Sequence, residues 1–304
     1  MLRIFNCFKC YYNEKNFKMS LMLHLLNLLE ILFTKLVAFF FKKFGKIRRK
    51  IAHRNLEVCF PEMEEADRSK ILNKHFFRLG ASIFHGLKAW LLNKRDFEKL
   101  LINLDEFDFD KLNKSSQGSL ILIPHTTDLE ITGRVAALMF DVNAMAKKQK
   151  NKLVNNFIFS RRGKYFKKIL FPNEVLKSMR LLQKGESLLY LPDQDYGYDH
   201  SIFVPYFNVP ALTVKFPSIA KKRSGCKVYY LYLEKIKNRY KIVLKELNLL
   251  GDNLYEDLSL LNKNIELSIK EQPDRYLWIH RRFKNRPKNT QDIYDESLLR
   301  KRLN

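Results

Sequence analysis

The stretch Ser119-Leu-Ile-Leu-Ile-Pro-His125-Thr-Thr-Asp-Leu-Glu130 decides the fold of this 304-residue chain. Its first five residues form a short apolar run that predicts a buried strand, and the pattern from Leu129 to Phe140 predicts a helix. The turn between them holds an imidazole and a carboxylate. Polar side chains directly after a strand are typical of a binding site in an open α/β sheet, where ligands lie at the carboxyl ends of the strands.

A second unit of the same kind lies downstream. Val175–Leu182 has a helical pattern, and Ser187–Leu191 is another short apolar run that predicts a strand. The loop after this strand contains Asp193 and Asp195, and Gly197 permits a sharp turn there. On this segment alone, the aspartates either belong to a site or form an ordinary Asx turn.

Other segments complete a domain in which strands and helices alternate. Apolar residues recur at helical spacing over Asp67–Leu92 and from Leu258 to Ile269. Lys227–Leu233 and Tyr240–Leu244 predict a β-hairpin. The pattern indicates an α/β or α+β domain with helices packed around a sheet.

The N-terminal segment, residues 1–50, is predicted to be a membrane anchor. Leu21–Phe41 is mostly apolar, and as a helix it would be about 30 Å long, which is the thickness of the hydrocarbon core. His24, Glu30 and Lys35 interrupt the run, so a spanning helix and an interfacial helix are both open. Six basic residues follow, as expected at a cytoplasmic leaflet: Lys42, Lys43, Lys46, Arg48, Arg49 and Lys50.

The composition narrows the choice of partners. Lys and Arg number 56 against 32 Asp and Glu, and the resulting net charge of +24 favours nucleic acid, anionic lipid or an acidic protein. The sequence contains no zinc finger or RNP signature, so we expect no nucleic-acid partner. Four scattered cysteines do not make a disulfide framework, and Cys7-x-x-Cys10 has no second pair for a metal, so we expect a reducing location and no metal.

The turn at His125 carries the chemistry. A histidine paired with a carboxylate can take a proton from a hydroxyl, and His125 and Glu130 lie five positions apart across the turn. Thr127-x-x-Glu130 also fits a helix capping box. Capping and catalysis are therefore both open for Glu130 from these residues alone.

Two basic segments lie elsewhere in the chain. The stretch from Lys147 to Lys168 mixes lysines with aromatic residues, and Arg161 or Arg162 within it could bind a phosphate. Tyr276–Pro287 combines basic and aromatic residues and predicts an interfacial or phosphate-facing strip.

Several blocks in the right order together resemble the late acyltransferases of lipid A biosynthesis, the lauroyl and myristoyl transferases of Gram-negative bacteria within the lysophospholipid acyltransferase superfamily. The resemblance runs from about Asn55 to Pro287. It rests on Asn55-Leu56 with Cys59-Phe-Pro-Glu62, His125-x4-Glu130, Tyr190-Leu-Pro-Asp-Gln-Asp-Tyr-Gly197, Phe203-Val-Pro205 and Trp278-Ile-His-Arg-Arg-Phe-Lys284.

The resemblance implies a fold and a set of site residues. The fold would be α/β, a glycerolipid acyltransferase-like mixed sheet flanked by helices over residues 51–287, with a polar, loosely ordered tail over residues 288–304. His125 would be the general base and Glu130 its partner. Arg162, with Arg161 as the alternative, would bind an acceptor phosphate, and Asp193 would order its loop or bind a sugar hydroxyl.

The resemblance also implies a reaction and a place in the cell. A fatty acyl chain would pass from an acyl carrier protein to a hydroxyl on an acyl chain of a Kdo-lipid A precursor, without metal or organic cofactor. The enzyme would contact anionic lipids at the bacterial inner membrane, with its catalytic domain facing the cytoplasm. The alternatives are another acceptor, such as a phosphatidylinositol mannoside or a lysophospholipid, and a basic nucleic-acid-binding protein.

Overall fold

The computed structural model describes residues 28–29, 31–37, 39, 45–113 and 117–294. Cys7 and Cys10, the anchor residues His24 and Glu30, and the last ten residues of the chain lie outside these ranges.

A six-stranded sheet forms the centre of the described chain, with strand order β3-β2-β4-β1-β7-β8. All its neighbouring strands are parallel except the antiparallel pair β7 and β8. A separate antiparallel hairpin is formed by β5 and β6. The strands are β1 (Ser119–Leu122), β2 (Val142–Met145), β3 (Ile169–Leu170), β4 (Ser187–Tyr190), β5 (Ser201–Tyr206), β6 (Val209–Val214), β7 (Lys227–Ile236) and β8 (Arg239–Glu246).

Helices cover both faces of the sheet. Leu120 and Leu122 of β1 belong to the core on one face, while Ile121 and the following Ile123 belong to the core on the other, as the alternation of side chains along a strand requires. The helices are α1 (Lys46–Cys59), α2 (Glu65–Leu91), α3 (Lys94–Glu98), α4 (Phe109–Asn113), α5 (Leu129–Met139), α6 (Lys152–Arg162), α7 (Val175–Gln183), α8 (Phe216–Ser224) and α9 (Leu254–Glu271).

The predicted mixed α/β domain is confirmed, and so are its long apolar elements. The predicted strands at residues 119, 187, 227 and 240 correspond to β1, β4, β7 and β8, and the predicted helices correspond to α2, α5, α7 and α9. The sequence did not predict β2, which is four residues long and contains the polar Asn143. It also missed the β5–β6 hairpin, because proline argues against a strand. In that hairpin Pro205 and Pro210 lie opposite each other in a ribbon of only two strands.

The described residues of the predicted anchor pack along α2. The Phe33 ring meets Phe84 edge-on at 5.4 Å, and a Cβ placed on Gly80 would lie 3.3 Å from Cβ of Val37. Most other apolar side chains of this segment are exposed: Leu28, Leu29, Ile31, Leu32, Leu36 and Phe39. Within the described ranges, no helix is long and apolar enough to cross a membrane.

The C-terminal region differs from its prediction in two respects. The predicted interfacial strip after Tyr276 is instead part of the core, with Trp278 and Arg282 both buried. The Arg282 guanidinium donates to the Leu212 carbonyl and to Oγ1 of Thr213, so its charge is used inside the fold. In the described part of the predicted loose tail, residues 288–292 are exposed, but Ile293 and Tyr294 are buried and the Tyr294 hydroxyl donates to Asn55.

A buried carboxylate fixes the start of α5. Asp128 is 2% exposed and its oxygens meet three groups from distant parts of the chain. Nδ1 of His85 lies 2.7 Å from Oδ1, the Tyr240 hydroxyl donates to the same oxygen at 2.9 Å, and the Arg275 guanidinium pairs with Oδ2. The turn that precedes α5 is thereby tied to α2, β8 and the segment before Tyr276.

Replacing this carboxylate should be costly. Asp128→Asn keeps the shape but leaves Arg275 buried without an opposite charge, so we expect the free energy of unfolding to fall by about 3–5 kcal/mol. Chemical denaturation in detergent would measure the change. The matched control is Asp252→Asn, because the Asp252 side chain is 83% exposed and its contact with Lys222 is 3.8 Å long. An Asp128→Asn protein as stable as the Asp252→Asn protein would contradict the assigned role.

Candidate active site

A cavity of about 930 Å3 opens where the parallel strands end. His125, Glu130 and Arg162 line it, together with Asp195 and His280. Much of the remaining wall is apolar and comes from β2, β3, β4 and β6, from α5, α7 and α8, and from their flanking loops: Ile123, Leu129, Ala144, Met145, Phe166, Ile169, Met179, Leu189, Leu191, Val214 and Ile219. The cavity therefore joins a polar end to an apolar chamber of the size of a lipid-like ligand.

His125 is paired with Asp193. Nδ1 of the ring lies 2.6 Å from Oδ1 of Asp193, and the backbone amide of His125 donates to Oδ2 at 2.9 Å. Asp193 is fully buried, whereas the His125 side chain is 17% exposed and reaches the cavity. Both carboxylate oxygens are therefore used by one residue.

The sheet register explains this pairing. β1 and β4 are parallel neighbours whose partners lie 68 positions apart, as in Ser119 with Ser187 and Leu122 with Tyr190. His125 and Asp193 are separated by the same 68 positions. Each follows its strand by three residues, so the register continues beyond the ladder and sets the two side chains opposite each other.

The protonation states follow from the surroundings. Burial raises the pKa of the Asp193 carboxyl, but the charge of His125 and the hydrogen bonds from its ring and backbone outweigh burial and hold the pKa below its ordinary value. An ionised carboxylate only accepts hydrogen bonds, so Nδ1 of His125 carries the proton of its bond to Asp193. Nε2 then carries the lone pair that can act on a ligand.

A short backbone ladder holds the His125 turn in place. The amide of Leu277 donates to the His125 carbonyl at 3.0 Å, and the amide of Thr127 donates to the Arg275 carbonyl at 2.8 Å. The Tyr276 hydroxyl, between them in sequence, donates to the Asp193 carbonyl at 3.3 Å. The same strip that the sequence analysis placed at an interface thus supports both members of the pair.

Glu130 is not the partner of His125, which corrects the pairing expected from the sequence. Its carboxylate accepts from the indole Nε1 of Trp90 at 2.8 Å and from Nε of Arg162 at 3.2 Å, and it also pairs with Nη2 of Arg162. The alternative capping box is not formed either. Asp128 is the N-cap residue of α5 and, among the described residues, the buried Oγ1 of Thr127 has no hydrogen-bond partner.

Arg162 rather than Arg161 lines the cavity. Burial lowers the pKa of the Arg162 guanidinium, but the hydrogen bond and the charge of Glu130 outweigh burial and raise it above the ordinary value. Glu130 engages Nε and Nη2, so Nη1 is the part of the guanidinium that remains for a ligand. Arg161 lies over the Phe157 ring, 5.2 Å from its centroid.

The loop that follows Asp193 is ordered by Asp195. Oδ1 of Asp195 accepts from the amide of Gly197 at 2.9 Å, which is the predicted Asx turn, and φ of +83° at Gly197 is the left-handed geometry that glycine permits. The backbone amide and side chain of Asn285 donate to the same carboxylate. Of the two aspartates, one therefore forms the turn and the other forms the pair.

His280 also lines the cavity, and no role was predicted for it from the sequence. Its Nε2 accepts from the Asp195 amide at 3.4 Å. Burial lowers the pKa of His280 to about 4, against the opposing pull of Asp193, so this ring is neutral near pH 7. The sequence feature that could have indicated a role for His280 is its position in the Trp278–Lys284 block.

One group of metal-ligand type occurs among the described residues, and it lies away from the cavity. His53 contacts Glu65 through Nε2 at 2.8 Å and Glu57 through Nδ1 at 3.6 Å. The two carboxylates lie on opposite sides of the ring and are also paired with Arg54 and Arg68. This geometry is that of an ion-pair network on α1 and α2.

These distances define what the site can do chemically. A buried carboxylate orients an imidazole whose free nitrogen faces a cavity, which is the arrangement that removes a proton from a hydroxyl and returns it to a leaving group. A charged guanidinium lies on the wall of the same cavity and is suited to a phosphate or to developing negative charge.

Comparison with known proteins agrees with this chemistry. Residues 25–285 match the family described as bacterial lipid A biosynthesis acyltransferase. The chain is 29% identical over 257 residues to the lipid A biosynthesis lauroyltransferase of Escherichia coli K12, covering 83% of this chain and 84% of that protein. It is 28% identical over 260 residues to the palmitoleoyltransferase of the same organism, with the same two coverages.

A solved structure, the 1-acyl-sn-glycerophosphate acyltransferase PlsC from Thermotoga maritima, aligns over 80% of this chain and 97% of its own, with a TM-score of 0.30 and 14% identity. The match of the family along most of the chain leads to one conclusion: this protein belongs to the bacterial lipid A biosynthesis acyltransferases.

Proposed function

We propose that the protein transfers a fatty acyl chain from the thioester of an acyl carrier protein to a hydroxyl on an acyl chain of a Kdo-lipid A precursor. The observation that carries the proposal is the His125–Asp193 pair at the polar end of a largely apolar cavity. The apolar chamber suits a fatty acyl chain, and the ring nitrogen at its end suits a hydroxyl nucleophile.

His125 first accepts a proton and then returns it in the course of the reaction. Nε2 of His125 takes the proton from the acceptor hydroxyl as the oxygen attacks the thioester carbonyl. The carbon–oxygen bond forms, the carbon–sulfur bond breaks, and the imidazolium returns the proton to the leaving thiolate. Asp193 fixes the tautomer and stabilises the imidazolium, the role that the sequence assigned to Glu130.

Glu130 and Arg162 act together in a different role. Glu130 holds the guanidinium, and Trp90 in turn donates to the Glu130 carboxylate at 2.8 Å. The remaining donors of Arg162 bind a phosphate of the acceptor. One side-chain pair, His125 with Asp193, therefore serves proton transfer, and the other, Arg162 with Glu130, serves substrate binding.

We place the enzyme at the bacterial inner membrane with the catalytic domain facing the cytoplasm. The exposed apolar residues of the N-terminal segment, among them Leu28 and Leu32, support attachment to lipid. The basic residues at the start of α1 support contact with anionic headgroups, and the net charge of +24 supports encounter with an acidic carrier protein.

The direct test is a purified enzyme assay. Acyl carrier proteins bearing several chain lengths are offered with a Kdo-lipid A precursor, and mass spectrometry identifies the product. Parallel reactions contain a phosphatidylinositol mannoside or a lysophospholipid in place of the precursor. Acylation of one of these, with none of the lipid A precursor, would replace the proposed acceptor. The same reactions with acyl-coenzyme A test the donor.

The pair that moves the proton should be identifiable by a double-mutant cycle. His125→Ala should lower kcat by about 10²- to 10⁴-fold, and Asp193→Asn should approach the same loss because the ring loses its orientation. The double variant should lose little more, since the two residues act as a unit.

Glu130→Gln is the matched comparison in this cycle. The contacts of Glu130 are with Arg162 and Trp90, so the fold-reduction in kcat caused by Glu130→Gln should multiply with that caused by His125→Ala. The opposite pattern, in which Glu130 and not Asp193 is non-additive with His125, would return the role of partner to Glu130.

Acceptor binding should depend on the geometry of the Arg162 guanidinium as well as on its charge. Arg162→Lys keeps the positive charge but loses the fork, so the KM for the lipid acceptor should rise by about tenfold, the equivalent of one charge-assisted hydrogen bond. The KM for the donor should stay unchanged. Arg161→Lys is the control, because Arg161 lies over Phe157 and does not line the cavity. Equal effects of the two substitutions would remove Arg162 from the acceptor site.

A further inference from the structure

Helix α6 carries an apolar surface that the described fold does not bury. Its eleven residues include Leu153, Val154 and Phe157, and none of the eleven is buried. The Leu153 side chain is 82% exposed, and Val154 and Phe157 are 47% and 41% exposed. A helix of a globular domain normally turns such residues toward the core. We call these three residues the α6 face.

The α6 face is nevertheless held in a defined position. The Asn151 side chain caps the helix by accepting from the amides of Leu153 and Val154. At the other end the Phe157 ring meets Trp90 edge-on at 5.7 Å, the Phe159 ring stacks on Phe171 at 5.8 Å, and Arg162 pairs with Glu130. The fold thus fixes the later turns of α6 and presents the first turn outward.

Positive charge surrounds the α6 face. The sequence from Val142 to Asn173 contains no acidic residue. Two groups of exposed lysines flank the helix, one before and at its start and one after its end: Lys147, Lys148, Lys150 and Lys152, and Lys164, Lys167 and Lys168. Of these, Lys167 is paired with Asp141. A polar belt of lysines around an apolar centre is the composition of a helix that lies in the interface of an anionic bilayer.

The α6 face lies near exposed apolar residues of the N-terminal segment and of α2. Two contacts, Phe33 with Phe84 and Val37 with Gly80, show that the N-terminal segment runs antiparallel to α2. Continuing this register by one turn places Leu29 beside the last turn of α2. That turn contains Trp90, which contacts α6, and Leu91, which is 58% exposed.

The helix also borders the entrance to the catalytic cavity. Lys147 and Gln149 just before α6 and Arg162 at its end line the cavity. Leu176 of α7 lines it too and is 69% exposed, so it marks the rim. A surface that covered the α6 face would therefore lie against the cavity mouth.

We propose that α6 is a second membrane contact, in which Leu153, Val154 and Phe157 enter the interface of an anionic bilayer and seat the cavity mouth against the lipid phase. The lysines bind the headgroups, and the acceptor passes from the bilayer into the cavity without crossing water. This purpose rests on the proposed function, whereas the contact itself does not. An acidic carrier protein would also match the lysines, but the exposed apolar side chains near the α6 face, Leu29 and Leu91 among them, favour a bilayer.

The contact can be measured in the full-length protein by lipid quenching. Leu153→Cys is made in a Cys7→Ser, Cys10→Ser background, because Cys59 and Cys226 are buried and will not react. A fluorophore on this position is read in vesicles of phosphatidylcholine and phosphatidylglycerol that contain lipids brominated near the headgroup. The label should be quenched, since interfacial helices enter the bilayer by about 5–10 Å.

The matched control carries the same label at Leu250→Cys. Leu250 is 66% exposed, lies between β8 and α9 and does not line the cavity, so its label should not be quenched. Equal behaviour of the two labels would overturn the proposal. Protection of the label at position 153 by acyl carrier protein in detergent, without quenching in vesicles, would overturn it in favour of a donor-docking surface.

Charge reversal tests the role of the lysines. Lys150→Glu with Lys152→Glu should reduce quenching at position 153 in vesicles that contain phosphatidylglycerol, because like charges then face each other. Lys263→Glu, an exposed lysine on α9, should leave it unchanged. Quenching that is the same in all three proteins would refute the anionic-bilayer contact as proposed.

A kinetic measurement separates this proposal from the proposed function. Leu153→Gln should lower kcat/KM for the acceptor in vesicles by about tenfold and leave turnover in detergent micelles unchanged. The reason is that the leucine side chain is buried only when the helix contacts a bilayer, so its loss costs binding free energy only there. Leu250→Gln should change neither. Quenching at position 153 without any acyl transfer would support the contact and refute the function. Acyl transfer without quenching would do the reverse.

Discussion

The parallel pairing of β1 with β4 is the constraint on which the site depends. It places His125 and Asp193 opposite each other although 68 residues separate them. A fully buried carboxylate is tolerated only when its charge and its lone pairs are satisfied, and here one residue supplies both a ring N–H and a backbone N–H. A slip in the register would leave Asp193 without its partner, so the fold and the catalytic pair are specified together.

The turn before α5 arranges three separate acid–base pairs within six residues. His125 meets Asp193, Asp128 meets Arg275 and His85, and Glu130 meets Arg162. Each partner comes from a different element, so the turn is tied to the sheet, to α2 and to α6 at once. Because each acid has a basic partner, little net charge is left beside the apolar cavity. Charge that develops during acyl transfer is then felt strongly in these low-dielectric surroundings.

The arginines and lysines of the protein lie in different environments. The buried arginines make contacts inside the fold: Arg282 donates to the Leu212 carbonyl, and Arg275 pairs with Asp128. The lysines around α6 are exposed, and the sequence between Asp141 and Glu174 contains no acidic residue, although Lys167 pairs with Asp141 itself. Lysine is a strongly hydrated point charge suited to headgroups, whereas the arginine fork suits directed pairs. The two residue types therefore serve the membrane surface and the interior separately.

The sequence by itself determined the elements that have a strong apolar pattern and the residues at the ends of strands. β1, β4, α2 and α9 were predicted because their patterns are long or wholly apolar, and His125 and Asp193 because each directly follows such a strand. The blocks that resemble the family also indicated its chemistry. The sequence could not show which strands are neighbours, because five elements lie between β1 and β4 and periodicity carries no information about which strands pair.

Tertiary structure therefore decided the partnerships. Glu130 is close to His125 in sequence and looked like its partner, but the helical turn that begins at Leu129 directs it to Trp90 and Arg162. Asp193 is distant in sequence and is brought within 2.6 Å by the register. The tertiary structure likewise buried Trp278 and Arg282 of the Tyr276–Pro287 strip and left the α6 face exposed, since burial depends on what packs above a residue and not on the residue alone. Local pattern fixes secondary structure and candidate chemistry, whereas contacts between residues distant in the chain fix which side chains act together.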